Sequence, residues 1–270
     1  MKNVLITGSS SGIGLATTKM FLEKNYHVFG VDIQTNAELS NIANYHFFQA
    51  SITSNEDLLN ISNYLQESKI LLDMIINVAG IHDMVSLVES DFQRIKRVID
   101  INLSGTMLVN NILYKHLAPK GRIVIVTSEV AQVDPLPFNG IYSISKIGLD
   151  AYAQSLRQEL NLKNQKVITI RPGAIETPLS KGSNDSTIKL VNETKLFKEE
   201  SVHFSKIVSK FAGEPLKVDK FAKYVYKVST KKHPKYVYKK HHNLGLILLG
   251  ILPKRLQCLI VKMLLNRKAK

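Results

Sequence analysis

Short apolar runs alternate with longer stretches that carry apolar residues at helical spacing, and this alternation constrains the chain more than any other feature. Strand-like runs lie at 2–7, 27–32, 45–49, 74–78, 122–126 and 166–170, and helical patterns at 13–23, 55–67, 92–117 and 142–162. A run such as Ile123-Val124-Ile125-Val126 is apolar without interruption, so both of its faces must be covered. Strand–helix alternation of this kind predicts an α/β fold: a doubly wound parallel sheet of the Rossmann type, with helices on both faces. Residues 235–240 are the candidate seventh strand. The length of 270 residues suffices to bury most of the surface of one large domain. No Pro- or Gly-rich linker interrupts it, so residues 1–270 read as a single domain.

Two segments depart from the rhythm. Residues 174–230 are charged and mostly helical in pattern, with no convincing strand. They follow the sixth strand at the carboxyl edge, where open α/β sheets bind ligands, and are expected to form a substrate lid. Residues 241–270 form an apolar, basic helical tail split by Pro253. The net charge is +14, and residues 231–270 hold eleven Lys and Arg with no Asp or Glu. The remainder is nearly neutral. No zinc-ligand spacing or aromatic RNA-binding motif accompanies the basic residues, so a nucleic-acid partner is not expected. The single cysteine, Cys258, excludes an internal disulfide and favours a reducing compartment. The opening run Val4-Leu5-Ile6 is too short for a signal-peptide core, and no stretch reaches the roughly 18–20 apolar residues of a membrane span. A cytoplasmic protein is expected. His241 and His242 are adjacent and so poorly placed to share a metal; no metal site is expected.

Thr7-Gly8-Ser9-Ser10-Ser11-Gly12-Ile13-Gly14 joins the first strand to the first helix. Glycines let the backbone turn tightly and approach a pyrophosphate, which then faces the helix N-terminus. Asp32 ends the second strand. A carboxylate there accepts hydrogen bonds from ribose hydroxyls and repels a 2′-phosphate, so NAD is expected in preference to NADP.

Tyr142 and Lys146 are four apart at the start of a helical pattern and share one face. Such a pair alone says little, since Tyr236 and Lys240 make another. The context separates them: Ser128 ends an apolar strand upstream of Tyr142, and Asn102 lies in the helix before that. With Asn77-Val78-Ala79-Gly80, Asn102-Leu103-Ser104-Gly105, Thr127-Ser128, Tyr142-Ser143-Ile144-Ser145-Lys146 and Arg171-Pro172-Gly173 with Thr177, the chain resembles the short-chain dehydrogenase/reductase family over about residues 3–178. The long lid and the 135–139 loop look similar to those of hydroxysteroid and retinol dehydrogenase-like members. Ser128 is one residue farther from Tyr142 than is usual in that family. Val78 replaces its commoner Asn, and Ser51 its usual Asp near the adenine.

The resemblance implies an NAD(P)-dependent oxidoreductase acting on an alcohol or carbonyl group. It implies that Tyr142 is the acid/base, that Lys146 lowers its pKa and holds the nicotinamide ribose, that Ser128 positions the substrate oxygen and that Asn102 supports a proton-relay water. The cofactor would be held by Gly8, Ser11, Gly12, Ile13, Gly14, Asp32, Ile33, Ile52, Asn77, Ala79 and Gly80, then by Tyr142, Lys146, Pro172, Gly173, Ile175 and Thr177. The expected substrate is a small apolar alcohol or carbonyl compound. The alternative is a catalytically silent dinucleotide sensor or scaffold, although a sensor needs no proton donor.

In the tail, residues 244–252 are almost unbroken in apolar character. A helix from Lys254 would carry one stripe at Leu256, Leu259, Ile260 and Met263 and a second at Cys258, Val261 and Leu265. Two stripes imply two burial partners. One would close the substrate pocket. The other would meet a sister subunit in a dimer or tetramer; alternatively the second stripe and the eleven basic residues would hold the chain against an anionic membrane through 244–268.

Overall fold

A computed structural model describes residues 1–211 and 213–266, with the side chains of 180–184 and 210–211 left aside. The chain runs β1 (Asn3–Thr7), α1 (Gly12–Glu23), β2 (His27–Asp32), β3 (Tyr45–Gln49), α2 (Asn55–Glu67) and β4 (Leu72–Asn77). Next come α3 (Phe92–Ile99), α4 (Thr106–Leu113), β5 (Leu117–Val126), α5 (Gly140–Asn161) and β6 (Lys166–Pro172). The last part holds β7 (Ile175–Glu176), α6 (Pro178–Glu193), α7 (Lys198–Phe211), β8 (Leu216–Lys217), α8 (Val218–Ser229), β9 (Val237–Lys240), α9 (Leu244–Ile251) and α10 (Lys254–Leu265).

Seven strands form a parallel sheet in the order β3-β2-β1-β4-β5-β6-β9. Successive side chains of a strand point to opposite faces, and here both sets are buried. Leu5, Phe29, Ile75, Ile123, Ile125 and Val167 pack under residues of α2, α4 and α5. Their neighbours Val4, Ile6, Val28, Met74, Ile76, Val124 and Ile168 pack under Phe21 of α1 and Phe221, Val225 and Val228 of α8. This two-sided burial is why the strands read as continuous apolar runs.

The long helix expected over 92–117 is interrupted. A π-turn at Asp100–Gly105 separates α3 from α4, and a 3₁₀ turn at Tyr114–His116 ends the helix before Leu117. Leu117 already pairs with Leu72, and the β4–β5 register shifts between Leu72 and Met74. The fifth strand therefore begins five residues earlier than its apolar run suggests.

The 174–230 segment divides in two. Residues α6 to α7 rise from the carboxyl edge, and β7 and β8 pair at their base, two strands too short to leave a sequence pattern. By contrast α8 is a covering helix of the sheet. Phe221 is fully buried, and Tyr226 meets Phe21 edge-on at a 5.2 Å centroid separation. Above the sheet edge a separate apolar cluster joins Met84 and Phe138 to Leu190 of α6, Phe204 of α7 and Leu265 of α10. Among the described residues no helix is long and apolar enough to cross a membrane.

If α8 belongs to the core, Phe221→Ala removes a fully buried ring and should cost about 3–5 kcal/mol in denaturant unfolding. A loss below about 1 kcal/mol, the range of surface substitutions, would place α8 outside the core.

Candidate active site

The β1–α1 turn is shaped by three glycines. Gly8 (φ 71°) and Gly12 (φ 49°) occupy left-handed conformations, which cost an L side chain strain. Gly14 lies so close to the Gly8 carbonyl that an added Cβ would sit 1.8 Å from its oxygen. Ser11 caps α1 in extended conformation without using its side chain as a cap, so the first N–H groups of the helix stay open to an anion. Beside the turn, Asp32 accepts the Ser10 N–H (3.0 Å) and the Gln34 N–H (3.1 Å). The Ser10 hydroxyl is buried without a hydrogen-bond partner.

From this turn a cavity of about 390 Å³ runs along the carboxyl edge. Its walls bring together Ile13, Gly80, Ser128, Tyr142, Lys146, Pro172, Gly173, Ile175 and Thr177. Residues from four crossovers meet here because every parallel strand ends on this side. Gly173 must be glycine, since a Cβ would lie 1.7 Å from the His241 carbonyl oxygen. Gly80 has Asn102 Oδ1 and Lys146 Nζ packed over it, 3.0 and 3.4 Å from where its Cβ would stand.

The Ser128 hydroxyl, which accepts the Val130 N–H at 3.3 Å, lies close enough to the Tyr142 phenol to favour its ionised form, even though the intervening segment holds one residue more than the family pattern. That segment contains a 3₁₀ turn at Glu129–Gln132 and the left-handed Phe138 (φ 63°). Lys146 Nζ lies 5.8 Å from the Tyr142 ring centroid. Burial pushes Tyr142 up to about 12, opposed by the Ser128 hydroxyl and reinforced by the Glu129 charge. Burial also pulls Lys146 down to about 8. In the protein alone desolvation dominates, and the phenol is protonated at neutral pH.

Other expected site residues serve the frame. Asn102 donates to the Ile81 carbonyl (2.8 Å) and Ser145 Oγ (3.0 Å), and its Oδ1 accepts the Ile81 N–H (2.8 Å). Its side chain thereby ties the β4 loop to α5. Asn77 donates to Asn110 Oδ1 (3.0 Å) and does not line the cavity. Ala79 packs on Gly8 and donates its N–H to Thr7 Oγ1. The Ile52 side chain is buried against Gly105, and Ile33 is exposed at the end of β2. Arg171, of the Arg-Pro-Gly segment, pairs with Asp150 at 2.5 Å and fastens β6 to α5.

Sequence reasoning missed two groups. His82 stands edge-on to Tyr142 at 4.5 Å and donates from Nε2 to Asn139 Oδ1 (3.0 Å), while burial lowers its pKa. Glu129 lines the cavity, accepts the Asn243 N–H (2.6 Å), and has its pKa raised by burial. Its position beside Ser128 was the signal available. The apolar wall of Met84, Leu136, Phe204, Ile207 and Leu246 comes from segments that carry no motif.

A family model described as short chain dehydrogenase matches residues 2–187. The chain belongs to the short chain dehydrogenase family. It is 27% identical over 184 residues to a 3-amino-tetrahydro-pyrrolizinone reductase of Xenorhabdus hominickii, covering 66% of this chain and 63%, less than two thirds, of that relative. It is 24% identical to a 3-ketodihydrosphingosine reductase of Bacteroides thetaiotaomicron over 86% of this chain and 85% of the relative. Among solved structures, it is similar in fold to a 4-hydroxyisoleucine dehydrogenase complexed with NADH (TM-score 0.71) and to ElxO with NADP bound (TM-score 0.69). Each is 24% identical and covers 88% of this chain and 96% of its own. The family is one of oxidoreductases acting on alcohol and carbonyl groups with a nicotinamide dinucleotide. The glycine cradle, the open α1 N-terminus and the unpartnered Ser10 hydroxyl fit such a cofactor.

Burying Lys146 carries a stability cost in this chain with a defined pH window. Its folded pKa, about 8, lies below its unfolded value of about 10.4. Between them the unfolded chain binds more protons, so stability rises with pH across that window. Lys146→Met should therefore stabilise the protein at pH 7 by on the order of 1–3 kcal/mol, the gain shrinking towards pH 10. Equal unfolding curves for the two proteins at pH 7 would show that the ammonium is solvated.

Proposed function

We propose that this chain is an NAD(H)-preferring oxidoreductase that moves a hydride between the nicotinamide and an apolar secondary or primary alcohol or its carbonyl. The observation that carries the reading is the meeting of the Ser128 and Tyr142 hydroxyls, with Lys146 behind them, at the polar end of an otherwise apolar cavity. The names of the two reductases among the relatives support carbonyl chemistry.

When bound, the nicotinamide supplies or takes up the hydride. Gly8, Gly12, Gly14 and the α1 N–H groups would hold its pyrophosphate, Asp32 the adenosine ribose, and Lys146 the nicotinamide ribose. A substrate carbonyl oxygen between Ser128 and Tyr142 receives two hydrogen bonds where negative charge develops during reduction. Tyr142, held as the phenol, gives its proton from Oη to that oxygen. Ser128 keeps the oxygen in place. In the oxidative direction Tyr142 takes the proton back, and positive charge from Lys146 favours that step. Asn102 acts as a positioning residue by fixing Ser145, one residue before Lys146.

One cofactor-bound structure carries NADH and the other NADP, so the preference rests on this chain's own residues. Asp32 presents a carboxylate where a 2′-phosphate would lie, and no Lys or Arg occupies 9–11 or 33–36. Lys19 is paired with Glu38.

Tyr142→Phe should lower kcat by about 10²–10⁴-fold, the usual worth of a general acid, with dinucleotide affinity little changed. Near wild-type turnover would exclude Tyr142 as the proton donor. Dinucleotide binding without turnover of any member of an alcohol and ketone panel would identify the silent sensor instead.

Cofactor choice has its own test. In steady-state kinetics kcat/KM should favour NAD(H) over NADP(H) by at least about tenfold, one buried charge contact, and Asp32→Ala should narrow the gap. Equal or better kinetics with NADP(H) would overturn the assignment.

A further inference from the structure

The tail is apolar on two sides, and the structure assigns the sides. On α10, Val261 and Leu265 turn inward to the cluster with Phe138 and Phe204. The stripe that faces outward is Leu256, Leu259 and Met263, the reverse of the sequence expectation, because Leu265 fills the gap above Phe204. On α9, Leu246 and Leu249 turn inward, while Leu244, Leu248 and Ile251 point out and are 66–74% exposed. Both outward rows follow i, i+3/i+4, i+7 spacing. Arg255 and Lys262, seven apart, stand on one side of α10 next to the row.

Between the inward faces lies a second cavity of about 230 Å³. It shares Leu136, Phe204, Ile207, Asn243 and Leu246 with the active-site cavity. Gly245 and Leu264 line it and are also exposed, so it opens beside the apolar rows. The two cavities thus adjoin, and largely apolar walls extend from the active site to the outer tail.

We propose that α9 and α10 seat the protein on an anionic lipid bilayer and open the substrate cavity towards it, so that the substrate is an alkyl-chain alcohol or ketone drawn from that bilayer. The substrate half rests on the function proposed above. Charge decides between a membrane and a second copy of the chain. Residues 231–270 carry eleven basic and no acidic residues. Of these, Arg255 and Lys262 flank the rows and Lys239 and Lys240 end β9 at the same edge, whereas Lys231 and Lys232 lie at the opposite edge, by Arg122 of β5 and Lys166 of β6. Arg267, Lys268 and Lys270 lie outside the described residues. A two-fold interface would set this basic surface against itself, whereas anionic headgroups complement it. Of the two carboxylates bonded to the described tail residues, one offsets a single charge and the other none. Asp134 is paired with Lys254, and Glu129 is turned inward to the Asn243 N–H.

Flotation of the full chain with phosphatidylglycerol–phosphatidylcholine vesicles and with pure phosphatidylcholine vesicles tests the docking. Binding is expected to the anionic vesicles at low salt and to weaken at high salt. Leu248→Ser/Leu259→Ser/Met263→Ser and Arg255→Glu/Lys262→Glu should each reduce the bound-to-free ratio at least about tenfold, with circular dichroism and Tm checking the fold. No binding to anionic vesicles at low salt overturns the proposal. So does a dimer that the triple serine variant dissociates, which would make the face an interface between copies. For the substrate, kcat/KM over a series of 2-ketones should rise with alkyl length, and a flat series overturns that half. Turnover of a short soluble ketone reads the chemistry separately. If it persists while flotation fails, only the docking falls; if flotation holds while no ketone turns over, the reaction assignment falls.

Discussion

Two-sided burial of the seven-stranded sheet is the constraint from which the remaining architecture follows. A parallel sheet with apolar residues on both faces needs a crossover between neighbouring strands and a helix on each side. Here α2, α4 and α5 take one face and α1 and α8 the other. Each crossover leaves its strand at the same edge, so loops distant in sequence converge there. Tyr142 on α5, Ser128 after β5, Gly80 after β4 and Gly173 after β6 become neighbours without any local attraction between them.

The chemistry at that edge is held against the cost of burying it. Lys146 is an ammonium removed from water, and Tyr142 is a phenol whose ionisation is suppressed. Such groups persist only where the surrounding frame is fixed. The frame is visible: Asp150 with Arg171 fastens α5 to β6, and Asn102 fastens Ser145 to the β4 loop through Ile81. The π-turn at Asp100–Gly105 sits where Asn102 must reach both partners. π-Turns of this kind often accompany functional sites.

The tail is joined to the same edge. The Gly173 N–H meets the Lys240 carbonyl at 2.9 Å, the His242 ring meets the Arg171 carbonyl at 2.8 Å, and Glu129 holds the Asn243 N–H. The start of α9 is thus bonded to the residues around Ser128 and Pro172. Any displacement of the tail would be felt at the far wall of the substrate cavity, which α9 helps to form through Leu246.

Local patterns determined the strand–helix alternation, the glycine turn, Asp32 at the end of β2 and the Tyr142–Lys146 pair, because each depends on spacing within a few residues. The same reasoning read 92–117 as one helix and 174–230 as one insertion. A π-turn leaves no mark in apolar periodicity, and α8 differs from a lid helix only in what it packs against. It did not foresee that Asn77 and Asn102 also tie the frame together, since side-chain partners 21 to 43 residues away are invisible along the chain. Tertiary structure alone decided which tail stripe faces in. Both stripes on α10 are apolar enough to be buried, and the space above Phe204, shaped by α6, α7 and the Phe138 turn, accepts only one of them.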